Sequence, residues 1–558
     1  MLEFASNPGE QKKFRAPLLW ILVPQLLGYI AALHWELSPW LCAVCGTVLA
    51  LQSLRSSHGQ DIDRWKWATC LCGAVWLLSW AWYQERDPLI RDRELLHLPP
   101  RAVALDISVK RIFNQQDEHG RLSGIARVGN APEVLDHVVG TDLYFKAYVD
   151  EAMEPFVRGD KLRILGIVQP VSFGKVAPSG FEDYLVRAMI LYETTRAKVV
   201  SRLKPANPFL QFCHSSNLKL QQVLRNGKAA GKDRRSEVLV AMMLGEKASL
   251  TPGQKVDFRH SGTMHLFAIS GLHVGIVAVV ISSLLGLVPL PRWTKVAIGL
   301  ATVLLYVQIT GGQPSAMRAF LMVCFLWTAG IVRRRNSPFS ALVASAVLVL
   351  LIAPSQLRNL GFQFSYAVVS VILLYGLPLA QHLQTLTTAR QNWIPSGSAH
   401  GWHRILAGAM RWFRMVLSVS FAATLASTPL TIAHFGIATP GTVFLNLFLV
   451  TLAALAIKFG TGLILAGVTG IGFLAICFHG LAVSLTGFML WIVGAAVQIP
   501  GFFREMHMHH PRLGATGILI LLATLLACHT YRERLGWHFF WIPPAIFATY
   551  LTLTAGTA

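Results

Sequence analysis

The stretch HLFAISGLHVGIVAVVISSLLGLV (265–288) is apolar enough to cross a bilayer, yet two histidines and a Ser-Gly pair stand in its first half. Read as one helix starting near residue 264, it sets His265 and His273 about 80° apart around the axis. Ser270, three residues before His273, shares a face with it. Gly271 and Gly275, four apart, leave room for a neighbouring helix or for local unwinding. Polar groups inside a bilayer are costly unless they face protein or water. The span is therefore either a packing face with a satisfied core histidine or the lining of a polar route.

The rest of the chain is of the same kind. Its 558 residues are 53% hydrophobic and 14% charged, about half the charge of a soluble domain. This composition points to a polytopic membrane protein. Lys and Arg number 49 against 28 Asp and Glu, a formal net charge of +21. Part of that excess is the cytoplasmic-loop bias of membrane proteins, and it also suits a polyanionic ligand. Seven of the eight cysteines lie in apolar runs, which argues against a disulfide framework. CAVC (42–45) lacks the polar, electropositive setting of a redox thiolate. No small-residue cleavage site follows the first apolar run, 17–33, so it reads as an anchor and not a cleaved signal.

About thirteen stretches have the length and apolarity of spans: three before residue 84 and ten between 264 and 555. Lys and Arg collect in KKFR (12–15), the Arg55–Lys66 loop, PRWTK (291–295), RRR (333–335), the Arg390–Arg414 loop and YRER (531–534). With thirteen spans all of these fall on one side, the cytoplasm. The segment 84–263 and the loop MHMHH (506–510) are then external.

Four regions follow: an N-terminal set of about three spans (1–83), an external OB-like β domain (84–205), amphipathic or interfacial helices (206–263) and a transmembrane channel domain (264–558). Within 102–203, five short alternating runs separated by Gly and Asp clusters predict a small barrel, with a helix-like insert, GFEDYLVRAMIL (180–191), before the last strand. FLQFCHSSNLKLQQVLRN (209–226) has the spacing of an interfacial helix. SEVLVAMMLGEK (236–247) opens on a plausible Ser cap.

Further polar features mark the later spans. In ITGGQPSAMRAFLMV (309–323), two glycines and Pro314 open a helix with Arg318 one turn inside; that charge must snorkel, pair or line water. Asn359 and Gln363 lie in the outer half of the next polar span but one, where bonding between helices is the plain alternative. Pro429, Pro440 and Gly441 predict a broken helix, which at membrane depth usually lines an enclosed cavity. Asn446 and Lys458 would face or cap it, unless Lys458 marks a cytoplasmic helix end. On the barrel, Lys110, Arg111, Arg127, Lys146, Arg158, Lys161 and Arg163 are candidates for tracking a nucleic-acid backbone, with Phe113, Tyr144 and Phe145 for base stacking. Tyr144 and Phe145 are adjacent, so at most one points outward. MHMHH has no carboxylate at ligand-like spacing, and no metal or other cofactor is expected.

Four stretches together resemble the ComEC family of competence channels. LLGEKASLTPGQKVDFRHSGTMHLFAISGLHVGIVA (243–278) is the most distinctive. GGQPSAMRAFLM (311–322), GFQFSYAVVSVILL (361–374) and STPLTIAHFGIATPGTVFLNLFLV (427–450) follow in the family's order. SGFEDYLVRAMI (179–190) is similar to part of the family's external domain, although Glu182 and Asp183 follow Phe181. The resemblance implies an inner-membrane channel that carries single-stranded DNA into the cytoplasm during natural transformation. Its partners would be single-stranded DNA, membrane lipid, a DNA-receptor protein outside, and a cytoplasmic ATP-driven motor or single-strand-binding protein; no P-loop is present. The route would be lined by His265, Ser270, Gly271, His273, Pro314, Arg318, Asn359, Gln363, Asn446 and Lys458.

Many family members continue into a metallo-β-lactamase-like domain. No HxHxDH motif occurs here, so the expectation is a non-enzymatic form without its own nuclease. Two alternatives stay open: a transporter of a lipid-linked or small anionic solute, and an intramembrane serine hydrolase. AISG keeps part of the Gly-x-Ser-Gly pattern of rhomboid proteases, and the hydrolase requires a base beside Ser270.

Overall fold

Helix occupies each position where a span is expected. The computed structural model describes residues 17–35, 37–57, 64–87, 99–115, 120–150, 153–171, 180–226, 231, 233–267, 269–332, 337–391 and 401–557. The basic stretches 12–15 and 333–335, and parts of the 55–66 and 390–414 loops, lie outside them. Three helices come first: α1 (Leu19–His34), α2 (Pro39–Ser57) and α3 (Arg64–Arg86).

The barrel follows: β1 (Arg101–Asn114), β2 (Arg121–Asn130), β3 (Asp142–Tyr148), β4 (Lys161–Pro170), α4 (Phe181–Arg187) and β5 (Tyr192–Lys204). All five expected strands are present, and α4 is the expected insert. Alternate residues turn inward, as a strand's period of two requires: Leu105, Ile107 and Val109 from β1, Leu143, Phe145 and Ala147 from β3, Leu162 and Ile164 from β4. The sheet closes in the order β1-β2-β3-β5-β4, with β3 and β5 parallel and the other pairs antiparallel. This is an OB-like barrel.

Two more helices lead into the membrane domain: α5 (Pro208–Leu224) and α6 (Arg234–Leu244). Asn207 caps α5 by accepting from the Leu210 N–H at 2.9 Å, and Phe209, Phe212 and Leu218 stay exposed. The cap of α6 is Asp233; Ser236, the expected cap, lies inside the helix. Ser236 to Leu244 are all buried, so α6 is a core helix and not an interfacial one.

Next come α7 (Pro252–His260), α8 (Gly271–Gly286), α9 (Arg292–Ile309), α10 (Pro314–Ile331), α11 (Pro338–Ile352) and α12 (Leu360–Val371), which runs through a π turn into α13 (Leu377–Gln391). Then follow α14 (Gly401–Phe435), α15 (Thr442–Thr469), α16 (Gly472–Val497), α17 (Arg512–Thr530) and α18 (Ile542–Thr554).

Among the described residues, six helices are long and apolar enough to cross a membrane: Pro314–Ile331, Leu360–Leu386, Ile405–Phe435, Thr442–Thr469, Gly472–Val497 and Arg512–Thr530. Leu19–His34, Gly271–Gly286 and Pro338–Ile352 are shorter apolar helices. The protein is thus a multi-pass α-helical membrane protein carrying a barrel after its third helix.

Two breaks differ from expectation. Pro429 does not interrupt α14, which runs through it. Hydroxyls re-bond nearby carbonyls, with Thr428 donating to Thr424 O at 2.7 Å and Thr431 to Ser427 O at 2.6 Å. The chain breaks instead at 436–441, where β6 (Ile437–Ala438) pairs with β7 (Arg504–Met508), and β7 with β8 (Ala555–Thr557). His507 of MHMHH therefore lies in a strand.

Candidate functional site

The opening stretch is not one helix. A 3-10 turn covers Met264–Phe267, and α8 begins only at Gly271, so the 80° relation between His265 and His273 does not apply. Ser270 is the cap of α8 and His273 its third residue. The Ser270 N–H donates to His273 Nδ1 at 3.3 Å, and Ser270 Oγ lies 3.0 Å from the same nitrogen. Because Nδ1 accepts, the ring proton sits on Nε2, which is buried without a partner. His273 is 0% exposed, so it does not line an open route. His265 is exposed and its Nδ1 lies 3.2 Å from Gly262 O.

The contact between Ser270 and His273 supplies the pairing that the hydrolase reading needs. The orienting group is missing: in such triads an acid holds the second ring nitrogen, and here Nε2 has none. Both groups serve as a reciprocal cap that seals the start of α8. Gly271 and Gly275 do not admit a close neighbour. A Cβ at Gly271 would find its nearest atom, Ala319 Cβ, 4.0 Å away, and one at Gly275 would meet nothing.

The GGQP stretch makes the second interruption. Gly311 and Gly312 take φ of +92° and +60°, a left-handed turn open to glycine, and Pro314 sits in the first turn of α10. Ser315 Oγ donates to Ile269 O at 2.7 Å, tying the start of α10 to the residue before Ser270. Arg318 neither snorkels nor faces open water. It is 4% exposed, and its Nη2 donates to Gly361 O at 2.7 Å. Asn359 caps α12 by accepting from the Gly361 N–H at 2.9 Å, and Gln363 Nε2 donates to Leu357 O at 2.9 Å. Both thus shape the start of α12.

A third interruption meets the first. Thr442, at the start of α15, donates through Oγ1 to Ser261 O at 2.8 Å. Asn446 is buried with Oδ1 unpartnered, whereas Lys458 is exposed. Twelve residues separate them, about 120° around a helix, so they do not face one cavity.

The barrel sits over these breaks. Arg158, expected on its open face, instead reaches Gln308 Oε1 at 3.2 Å and covers Gly312, where a Cβ would run into its guanidinium. Asp183 of α4 lies 3.8 Å from His434 Nδ1. Arg358 pairs with buried Asp87 at 2.7 Å and also touches Met189, just after α4.

Of the other barrel candidates, Lys110 pairs with Asp142 at 2.6 Å and Arg163 with Asp106 at 2.7 Å. Arg127 donates to Gly140 O at 2.9 Å, and Arg111 lies over the Phe113 ring. Lys146 is half-buried on β3 and Lys161 is exposed at the start of β4. The seven therefore do not form one free basic face. Phe145 is buried and unavailable for stacking; Phe113 and Tyr144 pack with exposed Phe181. Ser315, Asp87 and Asp183 were not singled out, because each acts on a partner remote in sequence.

The blocks 243–278, 311–322, 361–374 and 427–450 thus meet in space, on the side where the barrel docks. A family model described as "Competence protein" matches residues 242–534, more than half of the chain. The chain belongs to the competence protein family. Its similarity to curated members is local. It is 30% identical over 148 residues to ComE operon protein 3 of Bacillus subtilis, covering 26% of this chain and 19% of that protein. It is 32% identical over 142 residues to Competence protein ComA of Neisseria gonorrhoeae, covering 24% and 20%. With Recombination protein 2 of Haemophilus influenzae it shares 24% identity over 224 residues, covering 39% and 26%. The chain spans between 19% and 48% of the first relatives it matches. No solved structure matches.

Proposed function

We propose that this competence-family chain is a cytoplasmic-membrane conduit for single-stranded DNA in natural transformation. The barrel lies on the external side and receives the strand, and the membrane helices pass it inward. The observation that carries this reading is the docking of the barrel, through Arg158 and α4, on the ends of helices whose backbone is interrupted at 261–270, 310–313 and 436–441. Irregular backbone at membrane depth is tolerated where it lines a cavity or is enclosed by protein. A net charge of +21 suits a polyanion bound without regard to sequence. An external DNA receptor would deliver the strand. The sequence holds no P-loop, so a cytoplasmic ATP-driven motor or single-strand-binding protein would draw it in. No nuclease step is assigned to this chain.

The test is the fate of labelled donor DNA in cells with the gene deleted and then restored. The expected outcome is donor DNA that stays DNase-resistant but outside the cytoplasm in the deletion, with cytoplasmic uptake on restoration. Unchanged cytoplasmic uptake in the deletion would reject the conduit and favour a transporter of a lipid-linked or small anionic solute.

A further inference from the structure

Three helices begin side by side beneath the barrel: α8 at Gly271, α10 at Pro314 and α12 at Leu360. The first two turns of α10 lie between the other two starts. Ser315 holds Ile269 O at 2.7 Å, Ala319 is the nearest neighbour of Gly271, and Arg318 holds Gly361 O at 2.7 Å. Each start carries N–H groups with no acceptor inside its helix, and the positive end of a helix dipole, about half an elementary charge.

Arg318 adds a full charge from beneath. It is 4% exposed, and its Nε–H is buried without an acceptor. Among the described residues no carboxylate forms an ion pair with it. A second buried N–H, His273 Nε2, also has no acceptor. An uncompensated guanidinium among three positive helix ends is a strong local field in a low-dielectric setting, and an anion would neutralise it. The approach is open at glycine, since Gly271 and Gly361 are both exposed. Without side chains there, the oxygens of a ligand can reach the backbone N–H groups.

We propose that the starts of α8 and α10, with Arg318 below them, bind a phosphodiester of the transiting strand. This rests on the conduit reading and specifies what the site holds: one tetrahedral, singly charged backbone phosphate, taken without regard to base. A phospholipid headgroup shares that chemistry, so the test must separate the two sources.

The full chain is placed in phosphatidylcholine nanodiscs, and binding of a fluorescent oligothymidylate is followed over a salt series. Wild type is expected to bind with a steep salt dependence. Arg318→Gln should flatten the slope of log K against log salt by about 0.7, one phosphate contact on a single strand. Gly271→Leu, which fills the open approach and leaves Arg318 in place, should weaken binding about tenfold, the loss of one charge-assisted contact. An oligomer with uncharged methylphosphonate linkages should be insensitive to both changes. Gly271→Leu carries the test if Arg318→Gln fails to fold.

Slopes and affinities equal to wild type in both variants would overturn the phosphate site and leave the conduit standing. No oligothymidylate binding by wild type at any salt would overturn the conduit reading itself. Arg318-dependent retention of phosphatidylglycerol in native mass spectra, with no such dependence for the oligomer, would assign the site to lipid and overturn the proposal.

Discussion

Ser270 is a helix cap before it is anything else. Ser270→Ala should cost about 1 kcal/mol of stability, read as a lowered melting point of the detergent-purified protein, with transformation reduced but not lost. Abolished transformation at unchanged stability would bring back the hydrolase reading. Asp106 makes a prediction about pH. Its hydrogen bond with Arg163, across the β1–β4 ladder, holds its carboxyl below the usual carboxylate range. A depressed folded pKa means that this contribution is present above the unfolded value of about 4 and is lost as pH falls through the folded value. Arg163→Ala should therefore lower barrel stability at neutral pH and flatten its decline in acid. Hydrogen exchange of β1 and β4 across pH, corrected for intrinsic rates, measures both. His273 and Arg318 were legible as unusual residues because polar groups in apolar runs stand out. Their roles were not, since a satisfied cap and a buried guanidinium look like pore residues until partners are known.

The elements that matter most are the breaks. Gly312 takes φ +60° and lies under Arg158. Gly312→Ala should cost roughly 1 kcal/mol or more from the left-handed backbone alone and push the guanidinium away. Faster hydrogen exchange in residues 156–160 would register the loosened contact, and an unchanged rate would show that the turn does not hold the barrel. The GGQP break was readable from its glycines and proline. The break at 436–441 was misplaced towards Pro429, because a proline packed against a neighbouring helix need not end its own. α6 was misread for a related reason: a charged start and a serine suggested an amphipathic surface helix, while packing buries every residue from Ser236 to Leu244.

At the scale of the whole molecule, function depends on the barrel being held over the membrane domain. Arg158→Ala should reduce cytoplasmic uptake of donor DNA several-fold while the barrel stays folded and oligothymidylate binding by the full chain persists. Wild-type uptake by that variant would show that docking is dispensable. The membrane class, the five strands, the helix positions and the family blocks were all determined by the sequence itself. They rest on local properties: apolar length, a period of two, and glycine and proline at turns. Only the tertiary structure decided that Arg158 faces the membrane domain, that Arg318 is buried against Gly361, and that the starts of α8, α10 and α12 gather under the barrel. Those are contacts between residues up to 154 positions apart. Periodicity says which face of an element is buried, and only packing says against what.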